Sequence, residues 1–225
     1  IVIYSETVPG NPLKAKFVVR YLMNYVGNLG GPDTFDSNEY LIAYSSNIAK
    51  DAKSKGLNVE KILFLPAIDP RQFVISKSTP NDYFVVYSGK YDAFVGKLPD
   101  LNLNKIIKIT RESPNAQTRE NLISLLSECK ATISFENSSI ITESILAGTP
   151  GIFIQNEFLG QIIAEEELGL NGISFSLDEK EIERAKNTVE LAADQYFKRI
   201  QFFKTQLNDF IYSTQKHVKN LPYSK

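Results

Sequence analysis

The sequence predicts an α/β fold built from two parallel-sheet domains with helices after the second one. Short apolar segments typical of buried strands alternate along the 225 residues with segments of helical periodicity. The alternation restarts after Ser76 to Asp82, a polar stretch that contains a proline and is the best linker candidate. Repetition of strand then helix on both sides of this linker favours one Rossmann-like sheet in each half.

The first half contains three predicted strands and two predicted helices. Helix is expected from Pro12 to Val26 because Pro12 follows a Gly-Asn turn and Phe17, Tyr21 and Leu22 lie close to one helical face. Three strands make a thin sheet, so this half is expected to be a partial domain. The predicted strands are 1–4, 40–44 and 61–65, and the second helix is 46–55.

The second half is organised around the segment 133–154, ISFENSSIITESILAGTPGIFI, which is predicted to form one short strand-helix-strand unit. Ser138 or Ser139 can cap its helix, which is expected to end at Ala147. Gly148 suits the left-handed position after a helix, and Pro150 prevents continuation. The predicted strands of this half are 83–87, 105–110, 131–135 and 151–154, and a further helix is expected over 115–129.

The carboxyl-terminal region is predicted to be helical. Ser176 and Glu179 fit a capping box at its start. An apolar stripe follows at helical spacing, and packing against the body of the protein is favoured over contact with a membrane surface. The stripe comprises Tyr196, Ile200, Phe203, Leu207 and Phe210. The expected domains are therefore residues 1–77, 78–178 and 179–225.

Composition excludes several classes of function. The formal net charge of -1 argues against nucleic-acid binding, which needs a concentrated basic excess. One histidine, His217, supports neither a histidine-dependent triad nor a His-rich metal site. Cys129 is expected to be a buried structural thiol, which fits a reducing cytoplasm. No apolar run approaches the roughly 20 residues of a membrane span, so the protein is expected in the cytoplasm, with peripheral contact at the inner membrane face as an alternative.

Two acidic residues mark a candidate ligand site. In open α/β sheets, ligands bind outside the carboxyl ends of strands, where Glu136 and the Asn-Ser-Ser turn are predicted to lie. Glu143 follows in the first turns of the next helix. It is at the wrong spacing for a capping box with Ser138 or Ser139, which leaves ligand contact and interaction with the helix dipole as alternatives.

The run from Thr142 to Pro150, preceded by Phe135-Glu136, resembles the donor-binding segment of GT-B glycosyltransferases, in particular the retaining family 4-like enzymes. In those families two glutamates separated by seven residues precede a Gly-Thr-Pro turn, whereas six residues separate Glu136 and Glu143 here. The resemblance implies that Glu143 binds the ribose of a nucleotide and that Glu136 lies near the transferred sugar. The segments Phe135-Glu136-Asn137-Ser138 and Thr142-Glu143 also resemble the donor motif of α1,3-fucosyltransferases.

A second resemblance lies near the start of the chain. Tyr4 to Pro12, with Ser5 where the family has proline, is similar to a segment of some bacterial surface-polysaccharide glycosyltransferases. Glu6 follows the first predicted strand and is the amino-terminal candidate for a catalytic base facing the acceptor; a solvated loop acid is the alternative.

Together the resemblances imply a GT-B-like enzyme that moves a sugar from a nucleotide-diphosphate donor to a glycan or lipid-linked acceptor in surface-polysaccharide synthesis. Metal and bound cofactor are not expected, and cationic groups would stabilise the leaving diphosphate. The alternatives are a sugar-nucleotide epimerase of the same fold and a noncatalytic nucleotide-sugar-binding fragment. The residues expected to bind the donor are Gly89, Lys90, Arg111, Glu136, Ser138, Ser139, Thr142 and Glu143.

Overall fold

The computed structural model describes residues 1–28, 31–73, 80–89, 91–112, 114–157 and 159–220. It divides into two compact units, Ile1–Ala67 with Arg199–Lys225, and Ile68–Lys198. Each unit contains one sheet whose paired strands are all parallel, as the sequence predicts for an α/β chain. The domain boundary expected at 77–78 lies outside the described residues. Residues 179–198, expected with the carboxyl-terminal helices, group with the second unit.

The first unit has a sheet of four strands in the order β1-β2-β3-β4. A crossover helix, α1, connects β3 to β4, and Ser45 caps it by accepting a hydrogen bond from the amide of Ile48 at 3.2 Å. The elements are β1 (Val2–Ser5), β2 (Val18–Leu22), β3 (Tyr40–Ala43), α1 (Ser46–Ser54) and β4 (Val59–Ile62).

The helix predicted over 12–26 is wrong, because this segment contains the strand β2 and an irregular approach to it. All five residues of β2 are buried, as in a strand covered on both faces. Such a run satisfies helical and strand periodicity equally, and the β-branched pair Val18-Val19 decides for the strand. The sheet therefore has four strands in the described residues instead of the predicted three.

The second unit has a sheet of five strands in the order β6-β5-β7-β8-β9. The sequence predicts β5 to β8 within a few residues but misses β9, α2 and α5, which are too short to show periodicity. The elements are β5 (Phe84–Tyr87), α2 (Tyr91–Val95), β6 (Ile106–Ile109), α3 (Arg119–Glu128), β7 (Ala131–Ser134), α4 (Ser139–Leu146), β8 (Gly151–Phe153), α5 (Ala164–Leu168), β9 (Ile173–Ser174), α6 (Glu179–Lys186) and α7 (Val189–Asn220).

Two helix starts differ from the prediction. Helix α3 begins at Arg119 and not at residue 115, because Thr118 is the capping residue and accepts from the amide of Asn121 at 3.2 Å. Helix α6 is capped by Asp178, so the predicted capping box of Ser176 and Glu179 is wrong. In the parts of the chain that the structure describes, no helix is long and apolar enough to cross a bilayer.

The later part of the apolar stripe of α7 packs in the first unit. Phe210 is buried in the core cluster beside the sheet, and Phe203 and Leu207 pack against the same cluster. The His217 ring lies 5.2 Å from the ring of Phe17 and 5.3 Å from that of Tyr40. The stripe therefore serves as a packing face, and a membrane role is not needed to explain it.

A buried arginine organises the loop that joins β1 to β2. The side chain of Arg20 is 0% exposed and forms a bidentate ion pair with Glu39, with both N···O distances at 2.8 Å. Its remaining N–H groups donate to the carbonyl oxygens of Ser5, Val8 and Gly10 at 3.0, 2.5 and 2.8 Å. All five guanidinium donors are thus satisfied, which is the condition for holding such a charge in a core.

Replacement of Arg20 by methionine is expected to lower the free energy of unfolding by about 3–5 kcal/mol, because Glu39 becomes a buried carboxylate without a counter-charge. Lys61→Met is the matched control, since Lys61 contributes only a partly exposed ion pair with Asp209 in the same unit. It should cost less than about 1 kcal/mol. Urea unfolding of the two variants measures the difference, and equal values would contradict a stabilising role for Arg20.

Candidate functional site

The second sheet has a topological switch point between β5 and β7. From β5 the chain continues to β6 on one side, and β7 then pairs on the other side of β5. In open parallel sheets the crevice at the carboxyl ends beside such a point is where ligands bind. The segments that reach this edge are Ser88-Gly89 after β5, Thr110-Arg111 after β6, and Phe135 to Ser138 after β7.

Gly89 and Glu136 meet directly at the switch point. Gly89 has a φ of +56°, a conformation that favours glycine, and a Cβ atom there would overlap the carboxylate of Glu136. Gly89 is one of the residues expected to bind the donor; in this structure its neighbour is the Glu136 side chain. Glu136 itself is half-buried.

Tyr87, which the sequence reasoning missed, connects the groups of this edge. Burial raises the pKa of its phenol, the nearby Glu136 carboxylate raises this pKa further, and the charge of Arg111 and a hydrogen bond with Ser138 oppose the shift. The centre of its ring lies 5.9 Å from the Arg111 guanidinium carbon. The phenol therefore remains protonated at neutral pH and lies among three of the predicted site residues.

The start of α4 brings two serines to the same edge, as predicted. Ser138 is the N-cap and accepts from the amide of Ile140 at 3.4 Å. The hydroxyl of Ser139 accepts from Nη2 of Arg111 at 3.0 Å and donates to Oε1 of Glu143 at 3.3 Å. Ser139 and Glu143 can share this contact because residues four apart face the same side of a helix.

Glu143 lies between two arginines. Its side chain is 5% exposed, and Oε1 accepts from Nη2 of Arg111 at 2.7 Å while Oε2 accepts from Nη1 of Arg119. The helix-dipole alternative considered for Glu143 therefore describes only part of its environment. Arg119 was missed because the predicted helix started four residues earlier and gave this position no special place.

Arg119 is held by further contacts at the beginning of α3. Its Nε and Nη2 both donate to Oε1 of Gln72 at 3.1 Å. Its guanidinium carbon lies 5.1 Å from the ring centre of Phe73. Arg111 and Arg119 nevertheless remain 49% and 39% exposed, so both cations are accessible to a solute.

Asn137 fixes the shape of the turn after β7. Its amide group donates to the carbonyl oxygens of Leu159 and Gln161 at 3.3 and 2.9 Å, and its oxygen accepts from the amide of Ile163 at 2.8 Å. The segment that follows β8 is thereby tied to the turn that carries Glu136. Asn137 thus acts on the site through backbone contacts.

The remaining predicted site residues are placed differently. Thr142 is 1% exposed and donates to Oε2 of Glu167 at 2.8 Å, so the structure does not bring it to the accessible edge. Lys90 lies outside the described residues. Glu6 belongs to the first unit, directly after β1, where its buried carboxylate accepts from the amide of Met23 at 3.0 Å.

Cavities lined by described residues lie at opposite edges of the second sheet. One of ≈180 Å³ lies beside Arg111, with Thr110, Gln117 and Ile140 also in its lining. A larger one of ≈770 Å³ includes Asn81 and Lys130, which precede β5 and β7, so it lies at the amino-terminal edge. We favour the smaller cavity as part of the site, because parallel sheets bind ligands at the carboxyl edge.

Cys129 is a buried thiol and does not belong to the candidate site. Its thiol is buried, and burial raises its pKa to about 11, so the nucleophilic thiolate is scarce at neutral pH. Within the described ranges, no group of three histidine, cysteine or acidic side chains is arranged to hold a metal ion.

Comparisons with known proteins do not extend these findings. Searches of protein families, of curated proteins and of solved structures give no match to this chain.

Replacement of Gly89 by alanine is expected to displace the Glu136 carboxylate and so lower the pKa of Tyr87, because that carboxylate raises it. Gly96→Ala is the matched control, since Gly96 also has a positive φ but open space at its Cβ position. Each substitution should lower the free energy of unfolding by about 1 kcal/mol through backbone strain. NMR titration of ¹³C-labelled tyrosine measures the Tyr87 pKa, and the same value in both variants would refute the contact.

Proposed function

We propose that the chain is a glycosyltransferase that transfers a sugar from a nucleotide-diphosphate donor to a glycan or lipid-linked acceptor in cell-surface polysaccharide synthesis. The observation that carries the proposal is the convergence of Arg111, Ser138 and Ser139 at the switch point of a parallel sheet. The motif resemblance to GT-B enzymes supports the choice of donor. The two parallel sheets agree with that fold class at the level of α/β architecture.

The hydrogen-bond donors at the second sheet's carboxyl edge suit a diphosphate. Arg111 presents a half-exposed guanidinium beside the N-terminus of α4, and backbone amides at a helix start attract phosphate oxygens. During transfer, the acceptor oxygen bonds to the anomeric carbon while the bond from that carbon to the diphosphate oxygen breaks. The negative charge that grows on the leaving diphosphate is stabilised by such donors without a metal ion.

Two glutamates have further roles in this proposal. Glu136 would lie near the sugar, and its contact with Gly89 places it at the edge of the sheet. Glu6 stays the candidate base for the acceptor proton on its sequence position alone. A cytoplasmic site of action is part of the proposal, because the only cysteine is a free, buried thiol.

Replacement of Arg111 by methionine is expected to weaken binding of a nucleotide sugar tenfold or more, because a charge-assisted contact to phosphate is lost. Arg184→Met is the matched control, since Arg184 is a half-exposed arginine of the same unit that lines the cavity at the opposite edge. Thermal-shift screening with nucleotide sugars identifies the donor, and calorimetry gives the affinities. The proposal fails if no nucleotide sugar binds.

Turnover separates the enzyme classes. A transferase consumes the bound nucleotide sugar only when a glycan or lipid-linked acceptor is added, and it releases a nucleoside diphosphate. An epimerase of the same fold converts the nucleotide sugar without an acceptor. Proton NMR of the reaction with and without acceptor distinguishes the two sugars, and an isomerised nucleotide sugar in both reactions would contradict the transferase proposal.

A further inference from the structure

We infer that Glu143 is a positioning residue, which holds Arg111 and Arg119 as a pair of guanidinium groups for an anionic diphosphate and does not contact the ribose. The inference rests on the proposed function for the identity of the ligand. It assigns a role to Arg119, and it gives Glu143 a different role from the one that the motif resemblance implies. From here Arg111, Arg119 and Glu143 are called the arginine clamp.

The carboxylate of the arginine clamp is already engaged. Arg111 donates to Oε1 of Glu143 at 2.7 Å, Arg119 donates to Oε2, and Ser139 donates to Oε1 at 3.3 Å. A carboxylate has about four acceptor positions. Three of them are used in this structure, and both oxygens carry a charged donor.

A ribose diol is a poor competitor for this carboxylate. The side chain of Glu143 is 5% exposed, so a diol would have to displace an arginine to reach both oxygens. A hydroxyl and a guanidinium both form charge-assisted hydrogen bonds with a carboxylate, but only the guanidinium also brings an opposite charge to this buried anion. The exchange would also leave a guanidinium without its counter-charge, so the arginines are the better partners of Glu143.

Each arginine of the clamp is held in place while part of it stays accessible. Arg119 is fixed by Gln72 and by the ring of Phe73, and Arg111 by Ser139 and by the ring of Tyr87. Among the described residues, Nε and Nη1 of Arg111 have no hydrogen-bond acceptor. The clamp therefore presents oriented N–H donors to a ligand.

The charge and spacing of the arginine clamp favour a diphosphate. Within the clamp, two half-exposed guanidinium groups and one buried carboxylate leave a net charge of one positive unit. Because both arginines bind one carboxylate, they lie close enough to share a ligand that carries several oxygens. Diphosphate has such oxygens in two linked groups, and the N-terminus of α4 adds amide donors beside Ser139.

Calorimetry with two ligands tests this assignment. Inorganic pyrophosphate carries the phosphates without a ribose, and a nucleoside diphosphate carries both. Glu143→Gln is expected to weaken both ligands by the same factor, fivefold or more, because the arginines lose their shared partner. A loss confined to the nucleoside diphosphate would show ribose contact and overturn the inference. Tighter pyrophosphate binding by the variant would also overturn it, since Glu143 would then compete with the anion.

Arg119→Met tests the same clamp without changing the buried carboxylate. Its side chain is 39% exposed, and the variant should weaken pyrophosphate fivefold or more. In a double-mutant cycle with Glu143→Gln, the two losses should fall short of additive by at least threefold. Additive losses, or unchanged pyrophosphate affinity in Arg119→Met, would overturn the inference. Arg184→Met serves again as the control and should leave pyrophosphate binding unchanged.

Failure of the two proposals gives different results. If pyrophosphate binding depends on the arginine clamp but no nucleotide sugar binds, the inference about the clamp is supported and the donor proposal is contradicted. Binding of a nucleotide sugar with unchanged pyrophosphate affinity in Glu143→Gln would retain the donor proposal and remove the clamp. Absence of pyrophosphate binding by the unmodified protein would also remove the clamp.

Discussion

Parallel strand pairing is the constraint on which the rest of this structure depends. Every paired strand in both sheets runs in the same direction as its neighbour, so all carboxyl ends of a sheet meet at one edge. In the second sheet, β6 and β7 pair on opposite sides of β5, and the crevice at that edge lies between β5 and β7. Residues as distant in sequence as Tyr87 and Ser138 thereby come together, and a candidate ligand site arises from backbone hydrogen bonding before any side chain is specified.

Two ion-pair arrangements in this protein differ in which member of the pair is buried. Arg20 is fully buried and uses all five of its donors within the protein, so it has none left for a ligand. In the second unit the carboxylate is the buried member, and Arg111 and Arg119 keep between a third and a half of their surface. The carboxylate is the group that loses its contact with water, whereas the two guanidinium groups stay accessible to solvent.

The sequence predicts the elements of the second sheet well where burial on both faces gives continuous apolar runs. The strands β5, β7 and β8 and the helix α4 with its Ser138 cap are of this kind. The same property misleads at β2, because a run buried on both faces carries no period that distinguishes strand from helix. The position of β2 in the sheet is decided by tertiary pairing with β1 and β3.

The candidate site was predictable only in part. Positions at strand ends, such as Glu136 and Arg111, follow from topology, whereas Arg119 gains its place from Glu143 and Gln72, which are 24 and 47 residues away. Such long-range partners leave no local pattern. Thr142 illustrates the opposite error, because one residue along a helix turns the side chain by about 100°. That rotation directs Thr142 to Glu167 while Glu143 meets the arginines.

The loop between β1 and β2 is held by Arg20 through backbone carbonyl oxygens, and these contacts do not depend on the loop's own side chains. Arg20 binds the carbonyl oxygens of Ser5, Val8 and Gly10, and every residue type supplies a carbonyl. Substitutions at a position such as Val8 leave that contact chemically intact, whereas Gly10 also needs its positive φ of 58°. At positions that are held only through their carbonyl groups, sequence drift is therefore compatible with a constant backbone path, and the side chain that holds them lies in the neighbouring strand.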